Sequence, residues 1–152
     1  MAAAQDRLSL HATALAYGRF GLLLTGAPGS GKSGLARSLI DHAVRAGGYA
    51  ALVADDRVDI KACSGRLIAR AMAANRDLIE VRGIGLFRMK SAAAVLLTHA
   101  VVLDPAPPRL PEAAEASVEH LGVSLPVIHL RVHDPDAVSA IAAALGGEPL
   151  PV

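Results

Sequence analysis

At 152 residues, with 53% hydrophobic and 19% charged side chains, the chain can bury one sizeable core, so a single domain over 1–152 is expected. Lys and Arg number 15 against 14 Asp and Glu, for a net charge of +1, and aromatics make up 3% with no Trp. That excludes both the basic field of a general nucleic-acid binder and a base-stacking platform.

Cys63 stands alone, which rules out an internal disulfide or a thiolate-rich zinc site and fits a reducing cytoplasm; it reads as a small apolar core residue. The first twenty residues carry Asp6, Arg7 and His11 and lack the basic-then-apolar order of a secretory signal. No run approaches the roughly 20 apolar residues of a membrane helix, so a soluble, unexported protein without membrane association is expected.

In chain order, "RLSLHATALAY" (7–17) predicts strand character up to Gly18, and "FGLLLTG" (20–26) predicts a buried strand. From Gly31, Leu35, Leu39 and Ala43 recur every four residues with Arg37, Asp41 and Arg45 between them, which predicts an amphipathic helix ending at Gly47-Gly48. "YAALVADD" (49–56) reads as another buried strand running into two acids, and "RVDIKACSGRLIAR" (57–70) as a hairpin turning at Ser64-Gly65. In "LIEVRGIGLF" (78–87), Glu80 and Arg82 interrupt an apolar strand and by alternation share one of its faces. "AVVLD" (100–104) is the next strand, and "PAPPRLP" (105–111) forbids regular pairing. "EAAEASVEHLG" (112–122) predicts a helix with Pro111 at its first turn and Glu112, Glu115 and Glu119 on a solvated face. "SLPVIHLRV" (124–132) closes the strands. A last helix follows, with Asp134 as N-cap, Pro135 at its first position and Gly146 as its stop. These elements predict one α/β unit.

The most specific chemistry lies in "GAPGSGKS": Gly26, Ala27, Pro28, Gly29, Ser30, Gly31, Lys32 and Ser33 match the phosphate-binding loop at every fixed position. Glycines let backbone N–H groups turn inward around phosphate oxygens, and the following helix presents its positive end. Lys32 then reaches the β/γ oxygens and Ser33 offers its hydroxyl to Mg2+. The position of the loop between a predicted strand and a predicted helix is the context the motif requires. ATP or GTP with Mg2+ is the expected ligand.

A phosphate-binding loop does not name a reaction. An aspartate at the end of a buried strand commonly completes the magnesium site, and two places qualify, Asp55-Asp56 and Asp104. Asp104 would indicate a generic NTPase or a small-molecule kinase. Paired carboxylates held in one site, by contrast, favour proton abstraction from a hydroxyl, although chain neighbours can also face opposite ways.

Taken in order, "GAPGSGKS", "LVADD" and "IEVRGIGLF" resemble the motifs of the catalytic domain of HPr kinase/phosphorylase, from about His11 to about Leu103. "EVRGIG" is the discriminating piece, because phosphate-binding loops are common and this hexapeptide is not. The resemblance implies a P-loop kinase domain like the nucleotide-binding part of phosphoenolpyruvate carboxykinase, a mixed sheet with flanking helices, in a short form without an N-terminal regulatory domain. It implies a bacterial enzyme that uses ATP and Mg2+ to phosphorylate a serine of the phosphocarrier HPr, and in many members reverses this with inorganic phosphate. It also implies a homo-oligomer, a hexamer. By the same resemblance His11 is functional and Lys32 is the loop lysine, while Ser33 and Glu80 hold magnesium. Asp56 accepts the proton of the target serine, with Asp55 as its supporting neighbour. Arg82 would balance phosphate or carboxylate charge, and Gly83 and Gly85 would let the chain turn near the target serine.

Two departures matter. Gly34 stands where family members usually carry glutamate. The arginine-rich C-terminal loop tied to dephosphorylation has no clear equivalent in "HLRVHDPDAVSA", where Arg131 is the sole arginine. Kinase activity is therefore the better supported direction. A P-loop small-molecule kinase and a nucleotide-binding sensor remain the alternatives, although no arginine-dense lid is evident. His129 and His133 are four apart in strand and turn sequence, where a shared metal is not expected.

Overall fold

A computed structural model describes residues 6–109, 112 and 116–146. The stretch expected as strand over 7–17 is two strands, β1 (Arg7–Leu10) and β2 (Thr13–Tyr17), which enter different sheets. Their burial explains the split. β1 alternates between exposed and half-buried positions, as a strand covered on one face does, whereas every residue of β2 is buried.

β2 belongs to a six-stranded mixed sheet with β3 (Phe20–Gly26), β4 (Ala50–Ala54), β10 (His99–Asp104), β11 (Ser117–His120) and β12 (Val123–Arg131). The spatial order is β11-β12-β10-β3-β2-β4. β3, β10 and β12 run parallel, so their carboxyl ends emerge together, with Leu103 opposite Gly26 and Asp104 opposite Arg131. A second sheet holds β1, β5 (Val58–Cys63), β6 (Arg66–Ala71) and β9 (Ala94–Leu96), in the order β1-β5-β6-β9.

The six-stranded sheet is covered differently on its two faces. Leu15, Leu22, Leu24 and Leu52 form one apolar cluster with Leu35, Leu39 and Ile40 of α1 (Lys32–Arg45) and Ile141 and Leu145 of α2 (Ala137–Gly146). Ala14, Leu23, Val53 and Ala100 instead meet Val58, Ile60, Leu67 and Ala69 of the second sheet. The expected flanking helices are thus on one face, and a β layer occupies the other. The layers meet closely at Gly21 on β3, where a Cβ would stand 2.0 Å from the Leu96 carbonyl oxygen of β9.

Several local expectations hold. α1 buries Leu35, Ala36, Leu39, Ile40 and Ala43 along one stripe, and Gly48 N–H closes it on the Ala43 carbonyl at 2.7 Å. The β5–β6 hairpin turns at Ser64 and Gly65, both in left-handed conformation with φ of 51° and 74°.

Other expectations fail for identifiable reasons. Of the helix expected over 112–122, residues 113–115 lie outside the described residues, and Ser117–His120 is instead β11, paired antiparallel with β12 through Val118 opposite Leu125 and His120 opposite Val123. Leu121 and Gly122 form the two-residue turn with φ of 51° and 77°, so cross-strand pairing decides the conformation of 117–122. Glu119 is an exposed strand residue, whereas Pro111 and Glu115 lie outside the described residues. α2 starts at Ala137, two positions late, because the Asp134 carboxylate accepts from Asp136 N–H at 2.8 Å and forms a preceding turn. Cys63 is exposed rather than buried, since it ends β5 beside the hairpin turn.

"LIEVRGIGLF" is also a hairpin and not one strand. β7 (Leu78–Val81) and β8 (Gly85–Arg88) pair in a small sheet of their own, and Ile84 N–H bonds the Val81 carbonyl at 3.0 Å across the turn. Glu80 therefore lies on a strand and Arg82 in the turn, so the two do not share a strand face.

Candidate active site

The phosphate-binding loop links β3 to α1. Gly31 has φ of 100°, and its open face is crossed by His133, whose Nδ1 would be 3.2 Å from a Cβ added there. Lys32, only 7% exposed, folds its Nζ back to donate to the Gly26 and Ala27 carbonyls at 2.8 and 3.2 Å. Burial lowers its pKa from the usual lysine value, while the negative charges of Asp56 and Asp55 act in the opposite sense. The ammonium is thus held at the loop by neutral carbonyls that phosphate oxygens can replace.

The two adjacent acids diverge. Asp55, 5% exposed at the end of β4, accepts from Thr13 Oγ1 at 2.9 Å and Ser33 Oγ at 2.7 Å on its Oδ1. Its Oδ2 accepts from the Glu80 backbone N–H at 3.3 Å. One carboxylate therefore joins the core strand β2, the loop serine and the β7–β8 hairpin. Asp56, with φ of 70°, turns the other way and places Oδ1 3.1 Å from His11 Nδ1, in an exposed pair. The premise of two carboxylates in one shared site does not hold, because each acid has its own partners.

His11, Lys32, Ser33, Asp56, Glu80 and Arg82 line one cleft of about 590 Å3, together with loop residues Pro28, Gly29 and Gly31. Arg82 Nη1 reaches the loop, 3.7 Å from where a Cβ on Gly29 would stand. Asp55 is behind this cleft, and Gly26 and Ala27 serve it through their carbonyls to Lys32. Ser30 is buried toward a second cleft on the far side of the loop. Asp104 is spent elsewhere: its Oδ1 accepts from Ala106 N–H at 2.9 Å, so the acid beside Ser33 is Asp55.

Sequence reasoning missed two residues. Thr13 holds Asp55 and is fully buried; its only signal was its place two residues after His11 on a buried strand. His133 Nε2–H donates to the Gly29 carbonyl at 3.0 Å across 104 residues of sequence, for which no local signal exists. What could have found it is topology, since ligand sites collect at the carboxyl ends of parallel strands.

Among the described residues, no three His, Cys, Asp or Glu side chains converge to hold a cation. Mg2+ does not need such a cage: it keeps several waters and takes one or two carboxylates plus substrate phosphates. A hydroxyl at Ser33, a carboxylate 2.7 Å from it and Glu80 lining the same cleft as Ser33 fit that requirement.

A family model described as the HPr Serine kinase C-terminal domain matches residues 3–96. The chain belongs to this family. The HPr kinase/phosphorylase of Clostridium tetani (strain Massachusetts / E88) is 43% identical over 75 residues, covering 49% of this chain and 22% of that protein. That of Lactobacillus delbrueckii subsp. bulgaricus is 37% identical over 82 residues, 53% of this chain and 24% of that one. The chain thus spans about a quarter of the length of the curated relatives it matches. In fold, it is similar to the solved Hpr(Ser) kinase/phosphatase from Coxiella burnetii, with a TM-score of 0.74 at 23% identity over 91% of this chain and 95% of that one. As an HPr serine kinase C-terminal domain, the chain carries a mixed α/β fold of this kind, and none of its described helices is long and apolar enough to cross a membrane.

Proposed function

We propose that this protein is an ATP- and Mg2+-dependent protein-serine kinase acting on HPr or an HPr-like phosphocarrier protein in the bacterial cytoplasm. The observation that carries the reading is the exposed His11–Asp56 pair at 3.1 Å in the same cleft as Lys32 and Ser33. A base that must reach a serine on another protein has to be open to the surface, and the Asp56 side chain is 70% exposed.

In the forward direction the serine hydroxyl gives its proton to the Asp56 carboxylate as its oxygen bonds the γ-phosphorus and the β–γ bridging bond breaks, releasing ADP. His11 keeps Asp56 oriented. Lys32 exchanges the Gly26 and Ala27 carbonyls for phosphate oxygens, and Arg82 adds charge from the hairpin turn. Ser33 and Glu80 would hold Mg2+, which when bound neutralises phosphate charge. Reversal by inorganic phosphate is the weaker half of the proposal, since the resemblance implies an arginine-rich C-terminal loop for that direction and Arg131 is the sole arginine in "HLRVHDPDAVSA". A homo-oligomeric, hexameric assembly of the whole 1–152 domain belongs to the same reading and is open to light scattering.

The test is transfer of label from γ-labelled ATP to serine of a purified HPr-type protein. Asp56→Asn is expected to bind ATP normally and to lose transfer; normal transfer would remove Asp56 as the base. Glu80→Gln should raise the magnesium concentration needed for transfer. A protein that binds ATP and transfers nothing to any phosphocarrier would instead be a P-loop small-molecule kinase or a nucleotide sensor.

A further inference from the structure

The residues placed so far fix the direction in which a nucleotide must lie. Lys32 serves the β- and γ-phosphates, and the proposed acceptor Asp56 stands at the γ end, in the larger cleft. The α-phosphate end must therefore leave the loop over the first turn of α1, at Gly34, away from Asp56.

On that side is a second cleft of about 390 Å3, between the first two turns of α1 and the segment joining β12 to α2. Small-molecule sites run from about 300 to 1,000 Å3, so a nucleoside is of the right size for it. It opens at the carboxyl ends of the parallel strands β3, β10 and β12, where ligands of α/β sheets collect. Its lining is mixed, with Leu35, Leu103 and Val138 on the apolar side and Arg37 and Arg131 on the polar side.

Two observations point to a missing ligand. Ser30 lines the cleft at 5% exposure with its Oγ unpaired among the described residues, and Arg37 Nε is buried and likewise unpaired. Native interiors rarely leave such groups without a partner. Arg37 also lines the larger cleft, and its Nη2 would be 3.8 Å from a Cβ on Gly34, so its guanidinium stands where the two clefts meet.

We propose that the second cleft is the nucleoside site, with the base against Leu35, Leu103 and Val138 and Arg37 at the α-phosphate. This rests on the nucleotide reading above. It also assigns work to residues 131–138, which lie beyond the segment matched to the family, 3–96.

Ser38, exposed on α1 and lining the cleft, allows the test without disturbing the core. Calorimetry on Ser38→Trp should show ATP binding weakened by about tenfold or more with magnesium tripolyphosphate binding unchanged. Unchanged ATP affinity overturns the assignment, and so does an equal loss of both ligands, which would mean that the indole acts through the loop. If the unsubstituted protein binds neither ligand, the nucleotide reading itself has failed. Photolabelling with 8-azido-ATP gives a second readout. Label in the 131–138 peptide or the α1 peptide holding Ser38 supports the site, and label confined elsewhere refutes it.

Discussion

Asp55→Asn tests the hub that joins the loop, the core and the hairpin. The carboxylate accepts from Thr13 Oγ1 at 2.9 Å, Ser33 Oγ at 2.7 Å and Glu80 N–H at 3.3 Å. The amide can keep one oxygen toward the two hydroxyls, but its NH2 then faces the Glu80 N–H, donor against donor. A hydrogen bond to a charged group contributes about 1.5–3 kcal/mol and a neutral one about 0.5–1.5, so neutralising the two hydroxyl bonds costs about 2 kcal/mol. The frustrated Glu80 amide adds about 1 kcal/mol, and relief of the buried charge returns about 1 kcal/mol. The net loss is about 2 kcal/mol, which for a chain of this length lowers Tm by roughly 4–8 °C. Scanning calorimetry of the ligand-free protein measures it, and hydrogen exchange at the Glu80 amide should accelerate in parallel. An unchanged Tm with unchanged exchange at Glu80 would refute Asp55 as the joining group.

Gly21→Ala should cost about 3 kcal/mol or more in chemical denaturation, because the new Cβ meets the backbone carbonyl of Leu96 at 2.0 Å and a backbone cannot swing aside. Burial lowers the pKa of both His99 and His120 from the usual histidine value of 6.5. The unfolded chain therefore binds more protons below that value, so stability should fall as pH drops from 7 through 6.5 toward the lowered folded values, and a His99→Gln, His120→Gln double variant should flatten the slope. His133→Ala should free the Gly29 carbonyl, weaken ATP binding severalfold and lower stability by about 1 kcal/mol, readable by calorimetry of the two states.

What the chain discloses of itself follows the range of the interactions involved. The phosphate-binding loop is legible because its function imposes residue types at fixed spacing, and α1 because its apolar stripe is local. The β7–β8 hairpin is not, since its turn at Arg82-Gly83-Ile84 lacks the two-residue Asn-Gly signature and its charged residues sit in an apolar run that reads equally well as one strand. β11 is hidden because its strand character depends on β12, with Ala-rich sequence beside it arguing for helix. The covering of one sheet face by a second sheet is likewise a tertiary fact that periodicity cannot carry. Within the site, His11 and Asp56 were singled out by resemblance. Thr13 and His133 act through contacts at 42 and 104 residues' separation, so their neighbourhoods offer no more than the place of Thr13 two residues after His11.

The position of His11 and Asp56 has a structural cause. The chain passes between the two sheets at 11–12 and again at 55–57, where Ala12 N–H bonds the Asp56 carbonyl at 3.1 Å and Arg57 N–H bonds the Asp55 carbonyl at 2.8 Å. Both the proposed base and the histidine that orients it therefore stand on crossings, where the backbone leaves one ladder before joining the other and side chains can face a cleft. Asp55 and Asp56 share a peptide plane, so the buried carboxylate fixes the direction of the exposed one. Thr13→Val tests this aiming role against nucleotide binding, because the fully buried Thr13 donates to Asp55 at 2.9 Å and also borders the cleft of Lys32 and Ser33. On the proposed reaction, it should lower kcat by about tenfold, the rate equivalent of about 1.4 kcal/mol, while the Kd for ATP stays constant. A fall in ATP affinity with unchanged kcat would show that Thr13 supports the loop and leaves Asp56 to His11 alone.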